Sequence, residues 1–205
     1  MSETTKAFFY GTLMHPEILK RVVGNDGTHL EICPAVLVEY TRHRVKLADY
    51  PGVVPLARSS YKLFNGREDL SQEDRCVRGT LVTGLTRHDI RLLDYFEGTE
   101  YTRDPVKVHP LGPFTSISAH ATEFQSLVPA TPPLLPDLSK IEPIDAETYV
   151  FIELEMLEPS TWDFRGFVER NAWKWYGKGA NDNEDIAEVD RRRERGAKEM
   201  AGIIA

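Results

Sequence analysis

The sequence predicts an α+β fold, with one mixed β-barrel-like sheet, flanking helices and a C-terminal helical extension. Two observations predict this fold. Along the 205 residues, strand and helix patterns follow the order strand, helix, several strands, helix, strands, helices. The composition is ordinary for a globular protein, with 41% hydrophobic and 28% charged residues, which excludes wholesale disorder, collagen-like repeats and coiled coil.

The first strand and the first helix have clear boundaries in the sequence. The apolar run at residues 6–10 predicts a buried strand that ends at Gly11. A helix is predicted to begin near Pro16, a residue suited to a first helical turn, and to end at Gly24. Its apolar stripe consists of Ile18, Leu19, Val22 and Val23.

The middle of the chain predicts further strands separated by turns. Strands are expected at residues 32–40, 43–48 and 76–83, because these runs are rich in apolar and β-branched residues. A turn is expected at residues 50–52 and a polar loop at residues 64–74.

A proline-rich stretch interrupts the later strands. A strand is predicted at residues 101–108, where Pro105 favours an edge position or a bulge. Residues 110–144 are predicted to form a proline-rich excursion with a strand near residues 116–124. Strand character returns at residues 146–155.

The chain is predicted to divide into a core and an extension. Residues 1–158, including the excursion, form the predicted core, and residues 159–205 form a helical extension packed on it, with helices at residues 160–176 and 184–200. Six apolar residues of the first of these helices favour packing on the core, with a homodimer or partner surface as the alternative. They are Trp162, Phe164, Phe167, Val168, Trp173 and Trp175.

The charge pattern argues against nucleic acid and against an anionic membrane surface as partners. The 25 basic and 32 acidic side chains give a net charge of −7, whereas proteins that bind phosphate usually carry a basic surplus.

The sequence has neither a signal-peptide pattern nor the ~18 apolar residues of a membrane span. Cys33 and Cys76 are expected to be free thiols in a reducing compartment, so we expect a cytoplasmic protein.

The common catalytic motifs are absent from the sequence. It has no G-x-S-x-G elbow, G-x-x-x-x-G-K-[ST] loop, G-x-G-x-x-G turn or H-E-x-x-H pair, and its six histidines lack metal-ligand spacing. We therefore expect neither a metal nor a cofactor.

One carboxyl group falls on the apolar side of a helix predicted at residues 87–97. Thr86 with Asp89 predicts a capped start, and Gly98 predicts the end. At ~100° per residue, Glu97 lies within the apolar arc. Burial and the negative end of the helix dipole both raise the pKa of such a group, towards the range useful for proton transfer. The arc consists of Leu85, Ile90, Leu92, Leu93 and Phe96.

The pattern leaves two other interpretations of Glu97 open. The helix end could fray and release the side chain to solvent, or Glu97 could form a buried ion pair with Arg103.

The segment Tyr10-Gly11-Thr12-Leu13 connects the first strand to the first helix. A glycine turn ahead of a helix directs backbone N–H groups outward, which suits a carboxylate or an oxyanion. An ordinary strand-to-helix turn is the alternative.

Four segments carry a family resemblance. They are F-F-Y-G-T-L at 8–13, V-R-G-T-L-V at 77–82, L-L-D-Y-F-E-G-T-E-Y-T-R at 92–103 and T-Y-V-F at 148–151. In this order they resemble the γ-glutamyl cyclotransferase family, including its plant avirulence-induced-gene-like branch. The resemblance implies a barrel-like fold with a pocket at one end. It also implies cyclisation of a small-molecule γ-glutamyl substrate to 5-oxoproline, with release of an amine.

The resemblance also implies roles for particular residues. Glu97 would be the general acid/base. The residues implied to bind the substrate are Tyr10, Gly11, Thr12, Leu13, Tyr101 and Tyr149. Two other functions remain open: a different carboxylate-assisted reaction on the same fold, such as a lyase or isomerase step, or a non-catalytic binding protein.

Overall fold

Eight strands and four helices make up the part of the chain that the structure describes. This computed structural model describes residues 4–63, 71–120, 127–129 and 131–172, and the single residues 175, 187, 190, 191, 194, 195 and 202. The strands are β1 (Thr5–Phe9), β2 (Glu31–Val38), β3 (Tyr40–Arg44), β4 (Pro51–Pro55), β5 (Cys76–Leu85), β6 (Tyr101–Pro110), β7 (Thr115–Ser116) and β8 (Ile144–Phe151). The helices are α1 (Pro16–Val23), α2 (Leu56–Leu63), α3 (Arg87–Glu97) and α4 (Phe164–Arg170).

Five of these strands close into a mixed barrel. Neighbouring strands follow the order β5, β1, β8, β6 and β2, and β2 pairs with β5 to close the ring. The β1–β8 pair is parallel, and the other four pairs of the ring are antiparallel. β3 and β4 form a separate hairpin, and the short β7 pairs with β2. The predicted α+β fold with a mixed barrel-like sheet is confirmed.

Closure of the barrel requires a glycine in β5. This strand pairs with β2 on one edge and with β1 on the other. A Cβ atom at Gly79 would lie 2.2 Å from the carbonyl oxygen of Phe9 and 2.7 Å from the ring of Phe8. β1 and β5 therefore approach too closely at this point for any side chain.

The side chains of β1 alternate between two hydrophobic cores. Phe8 packs inside the barrel with residues of β2, β5 and β6, whereas Phe9 lies in a second core with residues of α1 and α3. This second core also contains Trp162, Phe164, Phe167 and Trp175. The described C-terminal aromatic residues thus share a core with β1. Trp173 lies outside the described residues, and the division into units 1–158 and 159–205 stays a prediction.

Both helices predicted from capping signals are confirmed. α1 has Pro16 in its first turn and ends at Gly24, whose φ of 70° lies in the left-handed region that glycine adopts without strain. α3 covers the predicted residues 87–97. Thr86 and Asp89 satisfy each other's backbone N–H groups in a capping box at its start.

The β3–β4 hairpin differs from the prediction. The strand predicted at residues 43–48 is wrong, because β3 ends at Arg44 and the chain then turns, with Leu47 at a φ of 62°. The turn predicted at residues 50–52 is also wrong, because Pro51 begins β4 and pairs with Arg44. Proline is tolerated at the first residue of a strand. Helix α2, which follows β4, was not predicted.

The strands on either side of the proline-rich excursion are close to their predicted positions. Pro105 of β6 pairs with Glu147 of β8. On its other side β6 pairs with β2 from Val108 onward, so Pro105 lies in a part of β6 that has a paired strand on one side. The predicted edge position of Pro105 is therefore confirmed. β8 ends at Phe151, before the predicted residue 155, because a 3-10 turn follows it.

The excursion and the C-terminal region contain less regular structure than predicted. Near residues 116–124 the strand is limited to β7, which a 3-10 turn follows, and residues 121–126 lie outside the described residues. α4 is shorter than the predicted helix at 160–176. Most of the second predicted helix, at 184–200, lies outside the described residues. Residues 64–70 of the predicted loop lie wholly outside them. None of the helices in the described ranges has the length and hydropathy of a membrane span.

The close approach of β1 and β5 predicts that Gly79→Ala destabilises the protein. A methyl group at this position meets a backbone oxygen that cannot move without breaking the barrel, so we expect a loss of at least about 2 kcal/mol in the free energy of unfolding. Urea denaturation measures this loss. Gly112→Ala is the control, because a Cβ there has Pro34 as its nearest neighbour, at an ordinary 3.5 Å. Equal stability of the two variants would contradict the account.

Candidate active site

A cavity of about 250 Å³ opens beside the ends of β1 and α3 and the start of β6. Its described lining residues are Phe8, Phe9, Tyr10, Gly11, Thr12, Leu13, Tyr50, Pro51, Phe96, Glu97, Glu100, Tyr101, Tyr149 and Trp175. All seven site residues named from the sequence are among them. The structure therefore brings these residues together, whereas their individual roles stay predictions.

The position of Glu97 follows from the two ends of α3. The capping box fixes where the helix begins, so Ile90 and Leu93 are buried and Glu97, on the same arc, lies at the cavity. Gly98 ends the helix with a φ of 68° and a ψ of −152°, a combination that is essentially restricted to glycine. The chain can therefore leave the helix directly after Glu97.

The carboxyl group of Glu97 forms no hydrogen bond and no ion pair with any described residue. Burial raises its pKa to about 8, and the negative charges of Glu100 and Asp94 add to this rise. A pKa in this range suits a group that accepts and returns a proton near neutrality.

The structure excludes both other interpretations of Glu97. α3 extends through residue 97, and the side chain of Glu97 lines the cavity. The ion pair with Arg103 is not formed. The Arg103 guanidinium instead donates to Asp94, with 2.9 Å between Nε and Oδ1, and to Glu147. Arg103 is thereby held by two other carboxylates.

The loop after β1 presents unused backbone donors at the cavity. No described residue accepts a hydrogen bond from the backbone N–H groups of Gly11, Thr12 or Leu13. The loop is closed by Met14, whose N–H donates to the carbonyl oxygen of Gly11 at 3.1 Å. A Cβ at Gly11 would lie 3.0 Å from two ring carbons of Pro51, so glycine lets the loop lie against the cavity wall.

Arg42 of β3 supports this loop from outside the cavity lining. Its Nη1 donates to the carbonyl oxygen of Tyr10 at 2.8 Å and to that of Arg78 at 3.3 Å. The guanidinium also lies 5.6 Å from the centroid of the Trp162 ring. Burial lowers the pKa of Arg42 to about 10, with the charge of Asp163 opposing this shift, so the group remains a cation at neutral pH.

Three tyrosine hydroxyl groups connect the walls of the cavity. Tyr10 donates to the carbonyl oxygen of Tyr149 at 2.5 Å, Tyr149 donates to Asp94 at 2.8 Å, and Tyr101 donates to the carbonyl oxygen of Pro51 at 2.9 Å. Burial raises the pKa of all three phenols, so they are neutral donors. They hold the loop, β8 and β4 in fixed positions around Glu97.

Sequence reasoning missed several residues of the site. Tyr50 and Pro51 were predicted to lie in a turn, Arg42 fell in the turn between the strands predicted at 32–40 and 43–48, and Glu100 was not singled out. For Glu100 a signal existed, because it lies three residues after Glu97 in the same segment. The contribution of Arg42 depends on a contact across 32 residues that no local pattern reveals.

The arrangement combines one proton acceptor with a set of anion donors. Glu97 can take up and release a proton, and the loop N–H groups can bind a carboxylate or an oxyanion. Within the described ranges, no three His, Cys, Asp or Glu side chains are grouped so that they could hold a metal ion.

Comparison with known proteins identifies relatives of the chain. The profile of the family "Gamma-glutamyl cyclotransferase, AIG2-like" matches residues 7–164. AIG2-like protein C of Arabidopsis thaliana is 29% identical over 101 residues, which are 49% of this chain and 48% of that protein. Protein AIG2 C of the same plant is 24% identical over 106 residues, 52% of this chain and 53% of that protein. The chain thus spans about half the length of these plant relatives.

Solved structures share the fold. A solution structure from Arabidopsis thaliana has a TM-score of 0.51 and 20% identity, covering 85% of this chain and 79% of that one. A yeast protein described as a gamma glutamyl cyclotransferase specific to glutathione has a TM-score of 0.51 and 12% identity, covering 95% of this chain and 97% of that one. At these identities the similarity establishes the fold alone.

The raised pKa of Glu97 predicts a pH-dependent stability. The folded state holds its proton up to about pH 8, whereas the unfolded state releases it near pH 4.5. Between these values the folded protein binds more protons, so this group makes the protein less stable as pH rises, by at most about 1.4 kcal/mol per pH unit. Relative to Glu97→Gln, the wild type should lose stability from pH 5 to pH 8 in urea denaturation. Parallel stability curves would contradict this prediction.

Proposed function

Because the chain belongs to the gamma-glutamyl cyclotransferase, AIG2-like family, we propose that it cyclises a γ-glutamyl amine or peptide to 5-oxoproline and releases the amine. One observation carries the proposal: the carboxyl group of Glu97, with a pKa of about 8, lines the same cavity as a loop with three backbone N–H groups, and within the described part of the chain neither the carboxyl group nor these N–H groups have a hydrogen-bond partner. The reaction requires these two features.

The substrate supplies its own nucleophile in this reaction. The nitrogen of the α-amino group attacks the γ-carbonyl carbon, a new C–N bond closes the five-membered ring, and the bond from that carbon to the leaving nitrogen breaks. Because both reacting groups belong to one molecule, holding it in a folded conformation can contribute up to roughly 7–11 kcal/mol in ideal cases. No nucleophile of the protein enters this scheme.

Glu97 moves the protons that the reaction must transfer. Its carboxylate takes one proton from the α-ammonium group before nitrogen attacks carbon, and its protonated form gives that proton to the departing amine nitrogen. The regenerated carboxylate then takes the second proton from the ring nitrogen, which becomes the lactam N–H, and the released amine takes up that proton as it becomes an ammonium ion. One group with a pKa near neutrality can perform these steps and contribute about 10²–10⁴-fold to the rate. The cavity of about 250 Å³ is below the roughly 300–1,000 Å³ typical of drug-sized ligands, which supports a small substrate.

The loop after β1 holds the α-carboxylate of the substrate in this proposal. The N–H groups of Gly11, Thr12 and Leu13 are its donors. Arg42 draws electron density from the Tyr10–Gly11 peptide through the Tyr10 carbonyl oxygen, so the Gly11 N–H becomes a stronger donor. The positive charge acts through the peptide and stays apart from Glu97.

Loss of the Glu97 carboxyl group should strongly reduce product formation. We expect Glu97→Gln to lower kcat/KM for 5-oxoproline release by at least about 10²-fold with the fold intact, because the amide can neither accept nor return the proton. The assay uses a panel of γ-glutamyl amines and dipeptides and quantifies 5-oxoproline. Asp145→Asn, which removes an exposed carboxylate of β8, is the matched control and should retain full activity.

The same panel separates the proposal from its alternatives. Undiminished turnover by Glu97→Gln would exclude Glu97 as the acid/base. No 5-oxoproline from any member of the panel would favour a different carboxylate-assisted reaction or a binding function.

The pH profile gives a second test of the role of Glu97. The base must be ionised in the free protein, so kcat/KM should rise between pH 6 and pH 8 and bend near pH 8. Initial rates at low substrate concentration measure this profile. A profile that is already level at pH 6 would contradict a base with a raised pKa.

A further inference from the structure

The cavity carries negative charge and no described positive charge. Two carboxyl groups, those of Glu97 and Glu100, line it, and none of its described lining residues is Lys, Arg or His. Arg42 and Arg103 do not line it, and their guanidinium groups are committed to backbone carbonyls and to other carboxylates. An anionic group that enters the cavity therefore meets the negative charge of Glu100. The donors that could offset this repulsion are uncharged, and they include the loop N–H groups and Nε1 of Trp175, which has no hydrogen-bond partner among the described residues.

Glu100 has no role in the proton transfer or the carboxylate binding of the proposed reaction. It belongs to the 3-10 turn Gly98–Glu100, and its carbonyl oxygen accepts from the N–H of Ile152 at 3.1 Å, which fixes its backbone. Its carboxyl group has no hydrogen bond or ion pair with any described residue. It lies close enough to Glu97 that its charge contributes to the raised pKa of Glu97. Glu100 therefore makes ionisation of Glu97 less favourable, and no contact with a described residue offsets this cost.

Aromatic side chains share the cavity with Glu100. Tyr50, Phe96, Tyr101 and Trp175 are all lining residues, and the rings of Tyr50 and Tyr101 lie 6.5 Å apart. Aromatic faces attract cations because their π electrons are partially negative, and a nearby carboxylate adds to this attraction. A carboxylate within an aromatic cavity is therefore suited to an ammonium group.

Each charged or reacting group of a γ-glutamyl substrate can be assigned to a different part of this cavity. The backbone N–H groups of the loop after β1 bind the α-carboxylate, and Glu97 accepts a proton from the α-ammonium group. Glu100 and the aromatic residues are then left for the leaving amine. Resting on the proposed function, we infer that the leaving amine carries its own positive charge, and that Glu100 is the residue that selects it.

This assignment excludes leaving groups with a free carboxylate as preferred substrates. Such a group would place its negative charge beside that of Glu100, and also beside that of Glu97 in the ionised form that begins the reaction, which raises the free energy of the complex. A neutral leaving group would avoid this repulsion but would leave Glu100 without a partner. The expected order of kcat/KM is therefore cationic, then neutral, then anionic leaving groups.

Three amides with a common four-carbon chain test the order directly. They are the γ-glutamyl amides of 1,4-diaminobutane, of pentylamine and of 5-aminopentanoate, whose chains end in an ammonium, a methyl and a carboxylate group. We expect the wild type to favour the ammonium end over the methyl end by at least tenfold in kcat/KM, measured as 5-oxoproline release. The carboxylate end should be the poorest substrate. A wild type that favours the methyl or the carboxylate end would overturn the inference.

The variant Glu100→Gln identifies the selecting residue. It should reduce the ammonium-to-methyl ratio about tenfold, and because this is a ratio, any change in the pKa of Glu97 affects both substrates alike. Asp145→Asn removes the same charge from an exposed position and should leave the ratio unchanged. An unchanged ratio in Glu100→Gln would overturn the role of Glu100. Failure of these amides and of the γ-glutamyl dipeptides of the wider panel to give 5-oxoproline would instead refute the proposed function, whereas turnover of dipeptides without turnover of the 1,4-diaminobutane amide would overturn the inference.

Discussion

A partly buried carboxyl group with no cation beside it among the described residues is the constraint on which the site depends. An opposite charge in contact with Glu97 would lower its pKa by about 1–3 units and leave it a poor proton donor to a departing amine. The structure avoids this contact although two arginines lie close by. Arg103 is held by Asp94 and Glu147, and Arg42 by the carbonyl oxygens of Tyr10 and Arg78. Both cations are thus used to stabilise the walls of the cavity.

The barrel and α3 together make this unfavourable burial possible. α3 is fixed at one end by its capping box and at the other by Gly98, which places Glu97 at the cavity. The tyrosine hydroxyls connect the loop after β1, β8, α3 and the start of β4, and these hydrogen bonds hold the walls of the cavity together. The free energy that keeps the carboxyl group in place comes from the two hydrophobic cores on either side of β1.

Local signals made part of this arrangement predictable. The capping box, Gly98 and the apolar arc of α3 all lie within the 14 residues 85–98, and together they predicted both the helix and the unusual position of Glu97. The loop after β1 was predicted for the same reason. Arg42, Tyr50 and Pro51 reach the site through contacts between distant parts of the chain, so their local sequence gave no indication of it. The turn predicted at residues 50–52 was wrong because proline usually indicates a turn, whereas Pro51 begins β4 at a position that needs no N–H donor.

The site-specific titration of Glu97 tests the central claim most directly. In protein with ¹³C-labelled glutamate carboxyl groups, NMR spectra across pH 3–10 follow each carboxyl resonance, and the Glu97→Gln variant identifies the one that belongs to Glu97. The account predicts a midpoint near pH 8, because burial and the charges of Glu100 and Asp94 oppose ionisation. A midpoint at or below the ordinary value of 4.5 would mean that the carboxyl group has a cationic or hydrogen-bonding partner, and it would contradict the account.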